Sequence, residues 1–225
     1  MKIKNAIAAA IGTIMSFTLL SVGASAGTLP FGVQISVDKT TVQNDWGWSE
    51  CFSTSGSSFG SSLAGIQSSC TGNYLMLATY VNGSDDYAIL AGAAHADVLF
   101  DTGVQSGNST NIDTTHTANG AEWYFSTSWS WGFTDLGNVV RLNSCDIGLY
   151  PNWDNNTGGM CWHTGSGNLN AGWGYNDGSF KSISSGHTRV VLSLDALTEV
   201  SEPGTFAVFG LGLAVVGFAR RRRFA

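Results

Sequence analysis

Basic residues are scarce in the body of this 225-residue chain. Between residues 27 and 202 only Lys39, Arg141, Lys181 and Arg189 stand against sixteen acidic residues, and four against sixteen leaves a net charge of −12. Nucleic-acid binding rests on neutralising phosphates with Lys and Arg, so that class of partner is excluded. Charge of either sign is sparse, at 12% of the chain, and aromatic residues are as frequent as charged ones. A disordered chain needs the opposite balance, so the body must fold. No C-x-x-C pair and no H-E-x-x-H pair occurs, and His95, His116, His163 and His187 stand far apart. No ready-made metal motif is therefore present. A sustained helical period is also missing between the two ends, which argues against a helical domain.

The basic charge that the body lacks is concentrated at the ends. Lys2 and Lys4 precede an apolar run from Ala6 to Leu20, and the small residues "ASA" at Ala24 to Ala26 follow. These three parts make a secretory signal peptide over residues 1–26, with the mature chain starting at Gly27. The Sec translocon and signal peptidase are then expected partners. At the other end Phe206 to Ala219 carry no charge, and Arg220, Arg221, Arg222 and Arg223 follow directly. Those 14 residues would make a helix of roughly 21 Å. Adding Pro203, Gly204 and Thr205, with arginine stems reaching to the headgroups, brings it near the lower limit for a single transmembrane helix. A buried core helix is the rival reading of so short a run. The arginine block argues against it and holds the C-terminus on the cytoplasmic side.

The stretch "VSEPGTFAVFGLGLAVVGFARRRR", Val200 to Arg223, resembles a PEP-CTERM sorting signal: a short motif, a hydrophobic helix and a basic end. Glu202, Pro203 and Gly204 fit the motif, and Ser201 stands where the family usually has its first proline. The resemblance implies handling by an exosortase, a membrane-embedded cysteine protease. It also implies a transient membrane anchor and delivery to the cell envelope, cell surface or outside. Pro203 suits this role because it interrupts helical structure and leaves an extended backbone beside the membrane run.

Three parts follow: residues 1–26 as signal, 27–199 as one exported domain, and 200–225 as sorting tail. The domain has the size of a single core-forming unit. Its four cysteines, Cys51, Cys70, Cys145 and Cys161, are an even set in an exported chain and point to two disulfides. Three connectivities are open; local pairing, Cys51 with Cys70 and Cys145 with Cys161, is preferred because it closes two short loops.

Period two dominates. "VQISV" at Val33 to Val37 alternates, and "YLMLATYV" followed by "NGSDD" and "YAILA" reads as two strands around an Asn-Gly turn. Further strands are expected at Asp97–Phe100, Glu122–Phe133, Val139–Leu142 and Arg189–Leu194. Loops dense in Gly, Ser, Asn and Asp separate them. The expected fold is all-β, an antiparallel two-layer β-sandwich. Blocks such as "NGAEWYF", "SWGF", "SCDIG" and "CWHTGSGNLNAGW" also resemble an exported bacterial domain that carries this kind of tail, which implies a shared fold and no particular reaction.

The candidate site residues are aromatic and amide-bearing. Trp46 and Trp48, like Trp129 and Trp131, are two apart and would share a face on a strand. Trp162, His163, Asn168, Asn170 and Trp173 crowd a glycine-rich stretch read as a loop. Indoles beside planar polar groups can line a polysaccharide site, although core packing is the commoner use of tryptophan. "GSSFG" around Ser58 matches a nucleophile motif without the strand-turn-helix setting it needs. Neither Glu50 nor Glu122 is singled out as a catalytic carboxylate. No cofactor is expected; a loose calcium site from Asp154, Asn156 and backbone oxygens is the open alternative. The chain therefore reads as a non-enzymatic exported module, structural or ligand-binding, with a carbohydrate-binding module as first alternative and a secreted hydrolase as second.

Overall fold

The computed structural model describes residues 27–103, 115–138 and 158–197. The signal segment, the tail from Val200, the strand expected at Val139–Leu142, Cys145, Asp154 and Asn156 lie outside the described residues. The elements run β1 (Gln34–Asp38), a π-helical turn (Thr41–Asp45), β2 (Ser49–Ser55), β3 (Ser61–Ser62), α1 (Leu63–Ser69), β4 (Tyr74–Val81), β5 (Asp86–Ala94) and α2 (His95–Val98). They continue with β6 (His116–Ala118), β7 (Ala121–Phe125), β8 (Ser130–Asp135), β9 (Gly159–Gly165), β10 (Asn168–Asn176), β11 (Phe180–Ser182) and β12 (His187–Leu194).

Two sheets form, and all pairings between these strands are antiparallel. The first has the order β1-β5-β4-β12-β2; the second has the order β11-β10-β9-β8-β7-β6, with β3 added to β10. The all-β class expected from the period-two pattern is what the chain adopts. Among the described residues no helix is long and apolar enough to cross a membrane.

One hydrophobic cluster draws on a face of each sheet. Leu75, Leu77, Ile89, Ala91 and Val191 come from the first sheet, and Trp123, Phe125, Trp131, Phe133, Met160 and Trp162 from the second. The opposite face of the first sheet carries a second cluster of Met76, Ala78, Leu90, Val190 and Leu192. Val42 and Trp48, from the segment between β1 and β2, cover it. The central strand β4 is thus buried on both faces, which is why its sequence is a continuous apolar run rather than an alternation.

Several local expectations are corrected. Asp97 and Val98 belong to the helical turn α2, which begins directly after β5 ends at Ala94. Glu122–Phe133 is two strands, β7 and β8, joined by a turn at Ser126 to Trp129 in which the Ser126 amide donates to the Ser130 carbonyl at 2.8 Å. The serine-rich region holds a helix, α1, in which Leu63 and Ile66 bury one face and the Ser62 hydroxyl caps the Gly65 amide. Those two apolar positions are only three apart, too short a stretch for a period to show. The glycine-rich "loop" around Trp162 is the β9–β10 hairpin.

Cys51 is disulfide-bonded to Cys70, across a sequence separation of 19, as local pairing predicts. It ties β2, an edge strand, to the end of α1. Cys161 on β9 is disulfide-bonded too.

Candidate functional site

The seven residues proposed for ligand contact divide between two places, Trp46 and Trp48 at the second cluster and Trp162, His163, Asn168, Asn170 and Trp173 on the β9–β10 hairpin. Trp48 is 1% exposed and belongs to the second cluster, where its Nε1 donates to the Thr28 carbonyl at 2.8 Å. Trp46 is half-buried against the same cluster, and it caps the π-helical turn rather than sharing a strand with Trp48. Trp162 is 0% exposed between the sheets, edge-on to Trp131 at 5.7 Å between ring centroids. A stacking platform needs an open ring face, so Trp48 and Trp162 cannot provide one. Trp173 pairs with Trp162 across the β9–β10 ladder.

The polar members serve the fold. Asn168 donates from Nδ2 to the Ser166 carbonyl at 3.2 Å at the hairpin turn. The Asn170 carbonyl accepts from Arg189. His163 is half-buried, and burial pushes its imidazole below the usual value of 6.5. These are the constraints of a packed hairpin rather than of an open loop.

Arg189 carries the strongest buried charge that the sequence reading passed over. It is 0% exposed in the middle of β12. Its Nη1 donates to the Asn170 carbonyl, and its Nη2 to the carbonyls of Ser55 at 3.2 Å and Ser58 at 2.9 Å. No carboxylate among the described residues pairs with it, and burial pushes its guanidinium down to about 10. The side chain therefore pins the β2–β3 turn and the irregular part of β10 to the first sheet through backbone oxygens alone. An arginine within the otherwise uncharged strand "HTRVVLSL" was the available signal.

A second constellation lies on the far face of the second sheet. Gly132 on β8, Cys161 on β9 and Gly174 on β10 stand in one cross-strand row. Tyr124 lies over Gly132 and donates its hydroxyl to the Met160 carbonyl at 2.8 Å, while the Phe180 ring covers Gly174. Cys161 thus has a glycine beside it on each neighbouring strand, and each glycine is covered by an aromatic side chain.

Glu122, Asp97 and His116 are engaged within the fold, and Ser58 lacks the setting of a nucleophile. The Ser58 carbonyl is held by Arg189, in a turn leading to β3 and not in a nucleophile elbow. Glu122 accepts from the hydroxyls of Thr115 at 3.0 Å and Thr117 at 2.8 Å and from the Gly137 amide at 3.1 Å. His116 meets Asp97 at 2.8 Å under a stacked Phe100, which fastens α2 to β6. Among the described residues no group of three or more His, Cys, Asp or Glu could hold a metal ion.

What remains is the segment from β12 to Leu197, beside Gly27. Gly27 lies so close to the end of β12 that a side chain there would put its Cβ 2.8 Å from the Ala196 carbonyl oxygen and from a Leu194 methyl. Asn73 donates to the Asp195 carbonyl, and Leu197 packs against the second cluster. The fold thus holds its chain up to Leu197. Comparison with curated proteins and with solved structures found no match for the chain, so the exported-domain resemblance has no support from that side. Two residues beyond Leu197 the picture changes: residues 199–223 match the PEP-CTERM protein-sorting motif, and the chain carries that motif, which implies an exosortase partner and sorting to the cell envelope.

Proposed function

We propose that the chain is an exported bacterial envelope or extracellular-matrix protein whose domain, residues 27–199, is a two-layer β-sandwich acting as a structural module without enzymatic activity. The observation that carries the sorting reading is the motif at residues 199–223, which begins two positions after Leu197, a residue packed on the second cluster. The sandwich is supported by the hydrophobic cluster shared between a face of each sheet. The non-enzymatic reading is supported by the use of Arg189, Glu122, Asp97 and His116 within the fold.

In this reading the membrane contact is temporary. A signal peptide at residues 1–26 and a hydrophobic run at Phe206–Ala219 hold the chain until the exosortase acts near Ser201 to Gly204, and the disulfide Cys51–Cys70 suits the oxidising space beyond. Carbohydrate binding would have to use surfaces other than the Trp48 and Trp162 faces. Mass spectrometry of the protein from its native cells tests sorting: loss of residues beyond about Glu202 is expected, and a persistent full-length mature form would count against it. A glycan array with the oxidised domain, with and without calcium, tests the structural reading, which a saturable sugar ligand would overturn.

A further inference from the structure

Covalent geometry keeps the sorting motif close to the fold. From Leu197, packed on the second cluster, to Ser201 are four Cα-to-Cα steps, which reach at most about 14 Å. The hydrophobic run begins at Phe206, nine steps from Leu197, and so within about 32 Å at full extension.

The end of the domain is wider than the reach from Leu197 to Ser201. β12 is an inner strand, with β2 on one side and β4, β5 and β1 on the other. Five strands at about 4.8 Å spacing span about 19 Å, before the second sheet is added. The end where β12 stops also carries the starts of β2 and β4, the end of β5, and Gly27. Its exposed residues beside the exit are Thr28, Asp45, Asn73, Asp195 and Ala196, with Trp46 half-buried among them. The opposite end, at the β4–β5 turn, is a strand length away, about 25 Å for eight residues.

A protease that grips Ser201 to Gly204 cannot do so on this tether without touching the folded end of the domain. We infer that the end bearing Thr28, Trp46, Asp195 and Ala196 is a contact surface for the membrane-embedded exosortase during cleavage. It acts as a second interface beside the linear motif. This rests on the sorting reading and goes beyond it, because the motif alone would be read equally well on a long linker. The signal-peptide junction at Gly27 lies on the same end, so both exported ends of the domain meet the membrane side together.

Site-specific photo-crosslinking of the full-length chain in its native cells tests the inference. A benzophenone amino acid is placed at Ala196, at Asp195, at Asp85 on the opposite end, or at Ser201 in the motif. Adducts are identified by mass spectrometry, and each variant's fold is checked by protease resistance after export. Exosortase adducts from Ala196 and Asp195, at least fivefold above Asp85, are expected. Inserting twenty Gly/Ser residues between Leu197 and Thr198 should leave tail removal intact while lowering the Ala196 adduct at least fivefold. Adduct from Ser201 without adduct from Ala196 or Asp195 would overturn the inference and leave sorting standing, as would equal adduct from Ala196 and Asp85. Absence of both the Ser201 adduct and tail removal would overturn the sorting reading, and this inference with it.

Discussion

Arg189 donates from Nη2 to the carbonyl of Ser58 at 2.9 Å, across 131 residues of chain. Its other contacts are carbonyls as well, so both terminal nitrogens of a buried cation are met by backbone dipoles instead of a carboxylate. Removing it leaves three half-buried carbonyls without their donor at once. Arg189→Met is expected to lower the unfolding free energy of the oxidised domain by about 3 kcal/mol, read by urea denaturation. Arg189→Lys should recover only part, since an ammonium cannot reach in two directions as the planar fork does. An unchanged midpoint for Arg189→Met would refute the clamp.

The disulfide between Cys51 and Cys70 closes a loop across a separation of 19. The double variant Cys51→Ala with Cys70→Ala should cost about 3 kcal/mol in the same measurement, because the unfolded chain regains the loop's freedom. A loss under about 1 kcal/mol would show that α1 is held without the bond.

Gly132 is where a ring passes over the backbone. A Cβ there would stand 2.1 Å from the Met160 carbonyl oxygen and 2.6 Å from the Tyr124 hydroxyl. Gly132→Ala should therefore destabilise by about 1–3 kcal/mol through overpacking. Tyr124→Phe, which loses the hydroxyl and keeps the ring, should cost about 1 kcal/mol. Equal stability of Gly132→Ala and the parent would contradict the close approach.

Trp48→Ala removes a fully buried indole from the second cluster, and a loss of about 3–5 kcal/mol is expected. If Trp48 instead served a ligand, the variant would keep its thermal stability and lose binding.

His163 and His187 are both lowered, first by burial, with Lys181 adding to the effect at His187. Below the ordinary value of 6.5 the unfolded chain takes up protons that the folded one resists. This stability is present above pH 6.5 and is lost as pH falls through the lowered folded values. The urea midpoint should drop between neutral pH and mildly acid pH, and His163→Gln should make that drop shallower. An unchanged slope in the variant would remove His163 from the account.

Legibility followed length scale. β4 and β5 around their Asn-Gly turn were readable because the apolar runs and the turn residues lie within a few positions of each other. α1 was not, since two buried apolar residues over seven leave no period to count. The hairpin at Trp162 was mistaken for a loop because its glycines, which make the positive-φ turn at Gly167 and the irregularity at Gly172 and admit the Phe180 ring at Gly174, look like loop chemistry in one dimension. Of the site residues, the sorting motif was legible in the sequence, whereas the burial of Trp48 and Trp162 was not.

That contrast has a physical origin. Sorting signals are read while extended or as single helices, so Glu202, Pro203 and the arginines carry their meaning in consecutive residues, and period two similarly sufficed for the all-β class. Burial is non-local. Whether Trp48 offers its face to solvent, which carbonyls Arg189 meets, and that Gly27 lies against Ala196 all depend on segments many residues apart packing together. No window along the chain contains both partners of those contacts.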